Sequence, residues 1–417
     1  MKITLPENVE IIIDTLTKAG YEAYAVGGCV RDSILGKNPE DWDITTSALP
    51  NEIKELFSRT VDTGILHGTV TVMMGKTGYE ITTYRIDGEY EDARHPKEVL
   101  FTSNLQLDLE RRDFTINAMA YNHQNGLIDL FHGEEDLNNG IIRCVGDAQL
   151  RFKEDALRMM RAIRFSAQLN FMMDQSVKTA IISLAKNLKM VSAERIQAEL
   201  MKILKSDHPE RIGALYDTGL LIQFWPELAL RMERPSELDA LLKQLKFLKQ
   251  PQLRLALLFL GDYGGKEDAN RSEKILRRMK FDNETIRKVR QLSYWHLSRP
   301  QLQASNIRKM MCEGGADLFP DYFFLQEAKV EVLKEPDACC LQNWVQGARA
   351  IWEQILTNQD CFSIRQLAIK GEDVIKMGVK QGKQVGEVLN FLLEQVLEDP
   401  SKNEKEYLCH QVKEFME

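Results

Sequence analysis

The feature that most constrains this chain is a change of period near residue 148. Before it, helical and strand spacings alternate. "NVEIIIDTLTKAG" places apolar residues at helical intervals and stops at Gly20. "YEAYAV" reads as an alternating strand, "CVRDSILG" as a short helix and "WDITT" as a strand. "GTVTVMMGKTGYEITTYR" reads as two strands around the turn "GKTG". After residue 148 strand signals nearly vanish. Amphipathic runs follow, including "KEDALRMMRAIRFSAQL", "SVKTAIISLAKNL", "SAERIQAELMKILK" and "LDALLKQLKFLKQ", with breaks expected near Pro235, Pro251, Pro300, Pro336 and Asp360. The pattern predicts an α+β chain: a small mixed sheet with helices first, then an elongated all-helical remainder.

Composition matters at three points. The chain has 417 residues, enough for two to four domains with real cores. Seven cysteines, an odd number with no CxxC pair, argue against a zinc ribbon or a disulfide framework and fit a reducing cytosol. "MKITLPENVE" has no apolar signal core and "LRLALLFL" is too short to span a bilayer, so a soluble cytoplasmic protein with no membrane partner is expected. The formal net charge of −8 speaks against nucleic acid on average. Residues 151–205 depart from that average, with eleven Lys/Arg against five Asp/Glu. This is either an electrostatic footprint for nucleic acid or a solvated helix face.

Chemistry concentrates in "GGCVRDSILGKNPEDWDITT", residues 27–46. Glycines 27 and 28 lead into a helix, which suits close backbone approach to a phosphate or an ordinary tight turn. Asp41 and Asp43 flank Trp42. On a strand both carboxylates would share a face and repel unless a cation neutralises them, and Mg²⁺ prefers such oxygen donors. A chance DxD is also expected among 62 acidic residues. Glu80, on the second hairpin strand, is a candidate third carboxylate or a solvent-facing strand residue.

The order of motifs then carries a resemblance. "GGCVRDSILGKNPEDWDITTSALP", "YEITTYR", "DGEYEDARHPKEVLF", "RRDFTINAMAYN", "KEDALRMMRAIRF" and "SAERIQAELMKIL" together resemble the tRNA nucleotidyltransferase/poly(A) polymerase family in its bacterial, class II form. The match is dense over about residues 25–205. The C-terminal half is looser, although "LAIKGEDVIKMGVKQGKQVGEVLNFLLEQVLE" resembles the tail of bacterial CCA-adding enzymes.

That resemblance implies a nucleotidyltransferase head at 1–147, a helical neck at 148–206, a body at 207–305 and a tRNA-binding tail at 306–417. It implies addition of CCA to a tRNA 3′ end from CTP and ATP, with Mg²⁺ held by Asp41 and Asp43; Glu80, from its strand position, stays a candidate third catalytic carboxylate. Gly27, Gly28 and Arg31 would frame the triphosphate. Arg112 and Asp113, helped by Asn117, would contact the ribose hydroxyl, although Asp113 also reads as a helix N-cap. Asp155 and Arg158 would read the base, and Arg161 and Arg164 beyond them are further nucleotide-binding candidates. An Asp accepts from an exocyclic amine and an Arg donates in a fixed fork, so one such pair at i, i+3 on a helix suits cytosine and adenine over uracil and guanine. Without the resemblance the same pair reads as a surface salt bridge. "DARHP" has His95 beside Arg94 where the family's flexible loop is expected to carry two basic residues, which makes the switch from C to A weaker or pH-dependent. An A-only enzyme, a poly(A) polymerase and a catalytically silent RNA-binding protein are the rival readings. No HD dipeptide marks an added phosphohydrolase.

Overall fold

The computed structural model describes residues 2–87 and 99–416. Arg94 and His95 lie outside the described residues. The chain divides into two compact units, Met1–Arg234 and Pro235–Glu417.

The first unit opens with α1 (Glu7–Lys18), β1 (Ala23–Val26), α2 (Gly28–Ile34), β2 (Ile44–Thr46) and α3 (Pro50–Leu56). Strands β3 (Thr60–Gly64), β4 (Thr69–Met74), β5 (Thr77–Thr83), β6 (Arg85–Asp87) and β7 (Val99–Phe101) follow. Then come α4 (Leu105–Glu110), β8 (Met119–Asn122), β9 (Gly126–Asp129), α5 (Gly133–Asn139) and β10 (Ile141–Ile142). The main sheet runs β3-β4-β5-β2-β1-β8-β9. It is mixed, as expected: β2 and β5 are parallel, with Ile44 beside Ile81, while the other neighbours are antiparallel. The β4–β5 hairpin turns at Gly75 and Lys76, as the sequence predicts.

Strand β1 departs from its expected alternation, because all four of its residues are buried. It is an interior strand, and both faces are covered. Tyr24 and Val26 pack with Tyr84, Leu105, Leu109 and Ala120. Helix α1, which buries Val9, Ile12, Ile13 and Leu16, also packs on it. A strand with no solvated face carries no polar alternation.

The helical part of this unit contains α6 (Ala148–Glu154), α7 (Leu157–Leu169), the short β11 (Met172–Met173), α8 (Gln175–Leu184) and α9 (Ala193–Lys205). Helices α10 (Gly213–Asp217), α11 (Leu221–Phe224) and α12 (Pro226–Met232) close it. One expected helix is two. The run "KEDALRMMRAIRF" breaks at Asp155, which is extended at φ −140° and ψ 105°. Its carboxylate accepts from Leu157 N at 3.0 Å, so the side chain competes with the helix ladder at the break. Helices α7 and α9 then pack together, and Met159 and Ile163 on the first and Ile196 and Leu200 on the second are buried.

The second unit is helical throughout its described residues: α13 (Pro235–Phe247), α14 (Pro251–Phe259), α15 (Gly265–Arg278), α16 (Asn283–Trp295), α17 (Ala304–Gly314), α18 (Phe319–Val330), α19 (Asp337–Thr357), α20 (Gly371–Lys376), α21 (Lys383–Glu398) and α22 (Lys405–Met416). Proline starts α13 and α14 and immediately precedes α19, where its fixed φ and missing N–H cost a helix least. Aromatic packing builds one core, with Trp295, Phe319, Phe323 and Trp352 at centroid separations of 5.3–6.3 Å. Val388, Leu392, Val396, Leu408 and Val412 build another. All seven cysteines are free thiols. No described helix is long and apolar enough to cross a membrane.

Candidate active site

A cleft of about 750 Å³ opens in the first unit. Its floor begins at the β1–α2 turn. Gly27 takes φ 83° and ψ −128°, a region that side chains strain to enter. A Cβ there would also lie 3.2 Å from Arg112 Nη1. Glycine therefore lets Arg112 close over the turn. Gly27 O accepts from Arg31 N at 3.1 Å, which starts α2 and aims Arg31 back into the cleft.

Asp41 and Asp43 stand at one wall. The assigned strand starts only at Ile44, so neither lies within β2. The ladder reaches them all the same, since Asp43 O accepts from Val26 N at 3.0 Å. Both aspartates are exposed and Trp42 between them is half-buried, the alternation that a shared face requires. Desolvation raises the Asp43 pKa, Arg112 opposes that rise, and Asp41 adds to it. Two hard carboxylates on one face make a donor set suited to a divalent cation.

Glu80 does not join them as a cleft wall. It is exposed on β5 and is not among the lining residues. The parallel pairing of Ile44 with Ile81 sets Glu80 one step earlier, level with Asp43. Among the described residues no three His, Cys, Asp or Glu side chains gather as a metal-binding group.

The opposite wall is a relay of charge. Asp113 Oδ1 accepts from Phe114 N at 2.9 Å and Asn117 Nδ2 at 3.2 Å, and Oδ2 accepts from Arg161 Nε at 2.7 Å. Asn117 Oδ1 in turn accepts from Arg31 Nη1 at 2.7 Å. Burial pushes the Asp113 carboxyl up, but Arg161, Arg158 and these bonds outweigh it and hold the pKa down at about 2. The expected N-cap role is not what the side chain does: the next 3₁₀ turn, Thr115–Asn117, has Phe114 as its cap residue.

Asp155 and Arg158 line the cleft but do not pair with each other. Asp155 Oδ2 meets Arg195 Nη2 at 2.7 Å. Arg158 binds Glu154 at 2.5 Å and the carbonyls of Arg151 and Arg111 at 3.3 and 3.1 Å. The break between α6 and α7 is the reason, since it takes Asp155 off the helix that carries Arg158.

Twelve of the thirteen residues singled out from sequence thus line one cleft, Glu80 being the exception. Several further residues line the cleft without having been singled out: Lys37, Arg111, Phe165 and Arg195 lie inside the quoted motifs, and Gln168 lies just beyond one. Asp108, buried behind the wall, was also missed. It pairs with Arg111 at 2.7 Å and Arg112 at 3.3 Å, and they hold its pKa below the usual range against burial. Its i+3 and i+4 spacing to two arginines is visible in the sequence, but a solvated surface pair would show the same spacing.

Comparison with known proteins agrees with this geometry. The model of the poly A polymerase head domain matches residues 23–143. That of the "Probable RNA and SrmB- binding site of polymerase A" matches 170–232, and tRNA nucleotidyltransferase domain 2 matches 257–412. The CCA-adding enzyme of Levilactobacillus brevis is 40% identical over 405 residues, 96% of each chain. That of Leuconostoc mesenteroides is 43% identical over 314 residues, 73% of this chain and 72% of its own. A crystal structure of the Bacillus stearothermophilus CCA-adding enzyme in complex with CTP superposes with a TM-score of 0.77 at 30% identity, covering 99% of this chain and 98% of that one. With family models along most of its length and relatives this similar end to end, the chain belongs to the CCA-adding enzymes of the tRNA nucleotidyltransferase and poly(A) polymerase family.

Proposed function

We propose that the chain adds CCA to the 3′ end of tRNA from CTP and ATP without a nucleic-acid template. The observation that carries this reading is the single cleft in which two exposed aspartates face seven arginines. One wall suits cation-assisted chemistry and the other suits a polyanionic nucleotide.

The cation is Mg²⁺ in this reading, held by Asp41 and Asp43; when bound it supplies charge neutralisation at the reacting phosphates. Gly27, Gly28 and Arg31 hold the triphosphate. Arg112 and the Asp113–Asn117 pair orient the ribose, and a hydroxyl there distinguishes a ribonucleotide from its deoxy analogue. Asp155 and Arg158 exchange their partners for the base edge, which needs both an amine and an acceptor. Arg161 and Arg164 complete the basic wall. Glu80, level with Asp43 on the neighbouring strand β5, is a third carboxylate close in register to the pair. The tRNA 3′-OH attacks the α-phosphate in line and pyrophosphate leaves, so the protein's contribution is positioning and electrostatics.

The division of labour follows the same reading: catalytic head 1–147, base-reading neck 148–206, helical body 207–305 and tRNA-gripping tail 306–417, in a cytoplasmic enzyme. The test uses purified protein, Mg²⁺, CTP and ATP with two tRNA transcripts, one lacking CCA and one ending in CC. Addition of CCA to the first and A to the second, followed by arrest, is expected. Extension of the CC-ended tRNA alone would make it an A-adding specialist, an A ladder a poly(A) polymerase, and no product would overturn catalysis altogether.

A further inference from the structure

Phe165 has no part in the chemistry assigned above, and in sequence it is one more apolar position of α7. It is only 5% exposed, yet it lines the cleft. Three guanidiniums lie over its ring. The Cζ of Arg164 is 4.1 Å from the ring centroid, that of Arg31 5.1 Å and that of Arg161 5.6 Å. The buried Phe114 braces the ring edge-on, with centroids 5.6 Å apart and planes at 80°. The three arginines come from two helices, α2 and α7, so the ring is a surface they share.

Three like charges gathered this closely repel, more strongly where water is scarce. Each has a carboxylate nearby: Asp32 is 2.8 Å from Arg31, Asp113 is 2.5 Å from Arg161, and Glu199 is 3.1 Å from Arg164. A carboxylate, however, restrains a guanidinium by using up its N–H donors. An aromatic face attracts the cation through its quadrupole and leaves those donors free for another acceptor. Arg164 illustrates the point. Its Nε is buried and makes no aligned hydrogen bond, although Glu199 Oε2 is close. Burial, with Arg161 and Arg31 pushing the same way, lowers its pKa to about 10, which leaves it charged at neutral pH. The guanidinium N–H groups that these carboxylates leave untaken are the ones an oxygen-rich polyanion in the cleft would engage.

We propose that Phe165 is a positioning residue for the triphosphate of the incoming nucleotide, its ring holding Arg31, Arg161 and Arg164 together as a polyphosphate cradle. The inference rests on the reading of the cleft as a nucleotide site. It assigns Phe165 no contact with the reacting atoms. Because CTP and ATP share the polyphosphate, loss of the ring weakens both equally and leaves the choice of base alone.

The test compares Phe165→Leu, Phe165→Met and Phe165→Tyr. For each variant, kcat and KM are measured for CTP and for ATP at saturating tRNA. Inorganic tripolyphosphate serves as a competitor, and a melting curve confirms folding at the assay temperature. The leucine and methionine variants are expected to raise both KM values, and the tripolyphosphate inhibition constant, by about tenfold, with kcat nearly unchanged. Tyrosine, which keeps the ring, is expected to stay within about twofold of the parent. Unchanged KM values in leucine and methionine, or a tyrosine variant as weak as leucine, would overturn the proposal. If leucine does not fold, methionine and tyrosine decide the same comparison. Arg164→Gln separates the two levels. If it too leaves nucleotide and tripolyphosphate binding intact, the nucleotide-site reading fails. If it weakens them while the Phe165 variants do not, this inference alone fails.

Discussion

Two buried carboxylates, one in each unit, are stabilised in different ways. Asp113 in the first unit is satisfied mainly by side chains that line the cleft, Arg161 and Asn117. Asp268 in the second unit is fully buried. Its Oδ2 accepts from Gly264 N at 2.6 Å and Tyr263 N at 3.2 Å and faces His296 Nε2 at 3.1 Å, while Oδ1 pairs with Arg271 at 2.7 Å. In both, burial pushes the pKa up and the partners more than reverse it. The partners of Asp268 include the backbone of one loop, and a Cβ on Gly261 would fall 2.1 Å from its Oδ1, so that side of the carboxylate is tightly packed. Apart from Phe114 N, the partners of Asp113 are side chains at a cleft that a ligand can take over. The same buried charge is a fastening in one unit and a set of exchangeable contacts in the other.

The largest expected effect tests the open side of that contrast. Asp43→Ala is expected to lower the rate of nucleotide addition by at least about a thousandfold, since it removes charge stabilisation at the reacting centre. The unfolding midpoint should hardly move, because Asp43 is exposed and no fastening depends on its side chain. The matching test on the closed side is Asp268→Ala. It leaves His296 and Arg271 without their carboxylate and two backbone N–H groups without an acceptor, so a loss of about 3 kcal/mol in stability is expected from denaturant unfolding. Activity per folded molecule should stay at the parent level. A stable Asp268→Ala protein with impaired addition would reverse the assignment of the two charges.

The contrast also separates what the sequence disclosed from what it hid. The helix starts at Pro235, Pro251 and Asp337 were legible because proline and its neighbours act locally. The Asp41/Asp43 pair was legible because a two-residue period is enough to put both on one face. The burial of β1 was not, since nothing local in "AYAV" says that both faces will be covered. Nor was the helix break at Asp155: an acidic residue inside a helical period looks like a surface position until its carboxylate is seen bonding Leu157 N. Arg195 and Asp108 were missed for a third reason. Their partners Asp155, Arg111 and Arg112 are motif residues, but they themselves only hold motif residues in place, and single-sequence spacing does not separate a supporting ion pair from a solvated one.

A smaller effect sharpens the comparison at low pH. The Asp113 pKa of about 2 lies below the ordinary value near 3.9. A depressed folded-state pKa adds stability that is present above the unfolded-state value and is lost as pH falls towards 2. Asp113 is therefore expected to contribute about 2 kcal/mol at neutral pH and to release it between about pH 4 and 2. Unfolding free energy measured across that window should fall less steeply in Asp113→Asn than in the parent. If the two slopes coincide, Asp113 is not held as a carboxylate by Arg161 and Arg158, and its likeness to Asp268 ends there.

The smallest effect concerns Arg195, where the contrast could fall either way. Its guanidinium holds Asp155 Oδ2 at 2.7 Å, while Leu157 N holds Oδ1 at 3.0 Å. If Asp155 reads an exocyclic amine, this grip must loosen for each nucleotide, so the pair belongs with the exchangeable contacts of Asp113. Lysine at 195 would keep the charge but lose the fixed fork, letting Asp155 sample other orientations. Arg195→Lys is then expected to raise misincorporation of UTP a few-fold, about 0.5–1 kcal/mol of discrimination, with CCA addition and melting temperature near those of the parent. Asp155→Ala should relax the same selectivity further. Were Arg195→Lys instead to lower stability and leave selectivity unchanged, the Arg195–Asp155 pair would be a fastening like Asp268. The cleft would then contain, beside its exchangeable contacts, one charge fixed as firmly as any in the helical unit.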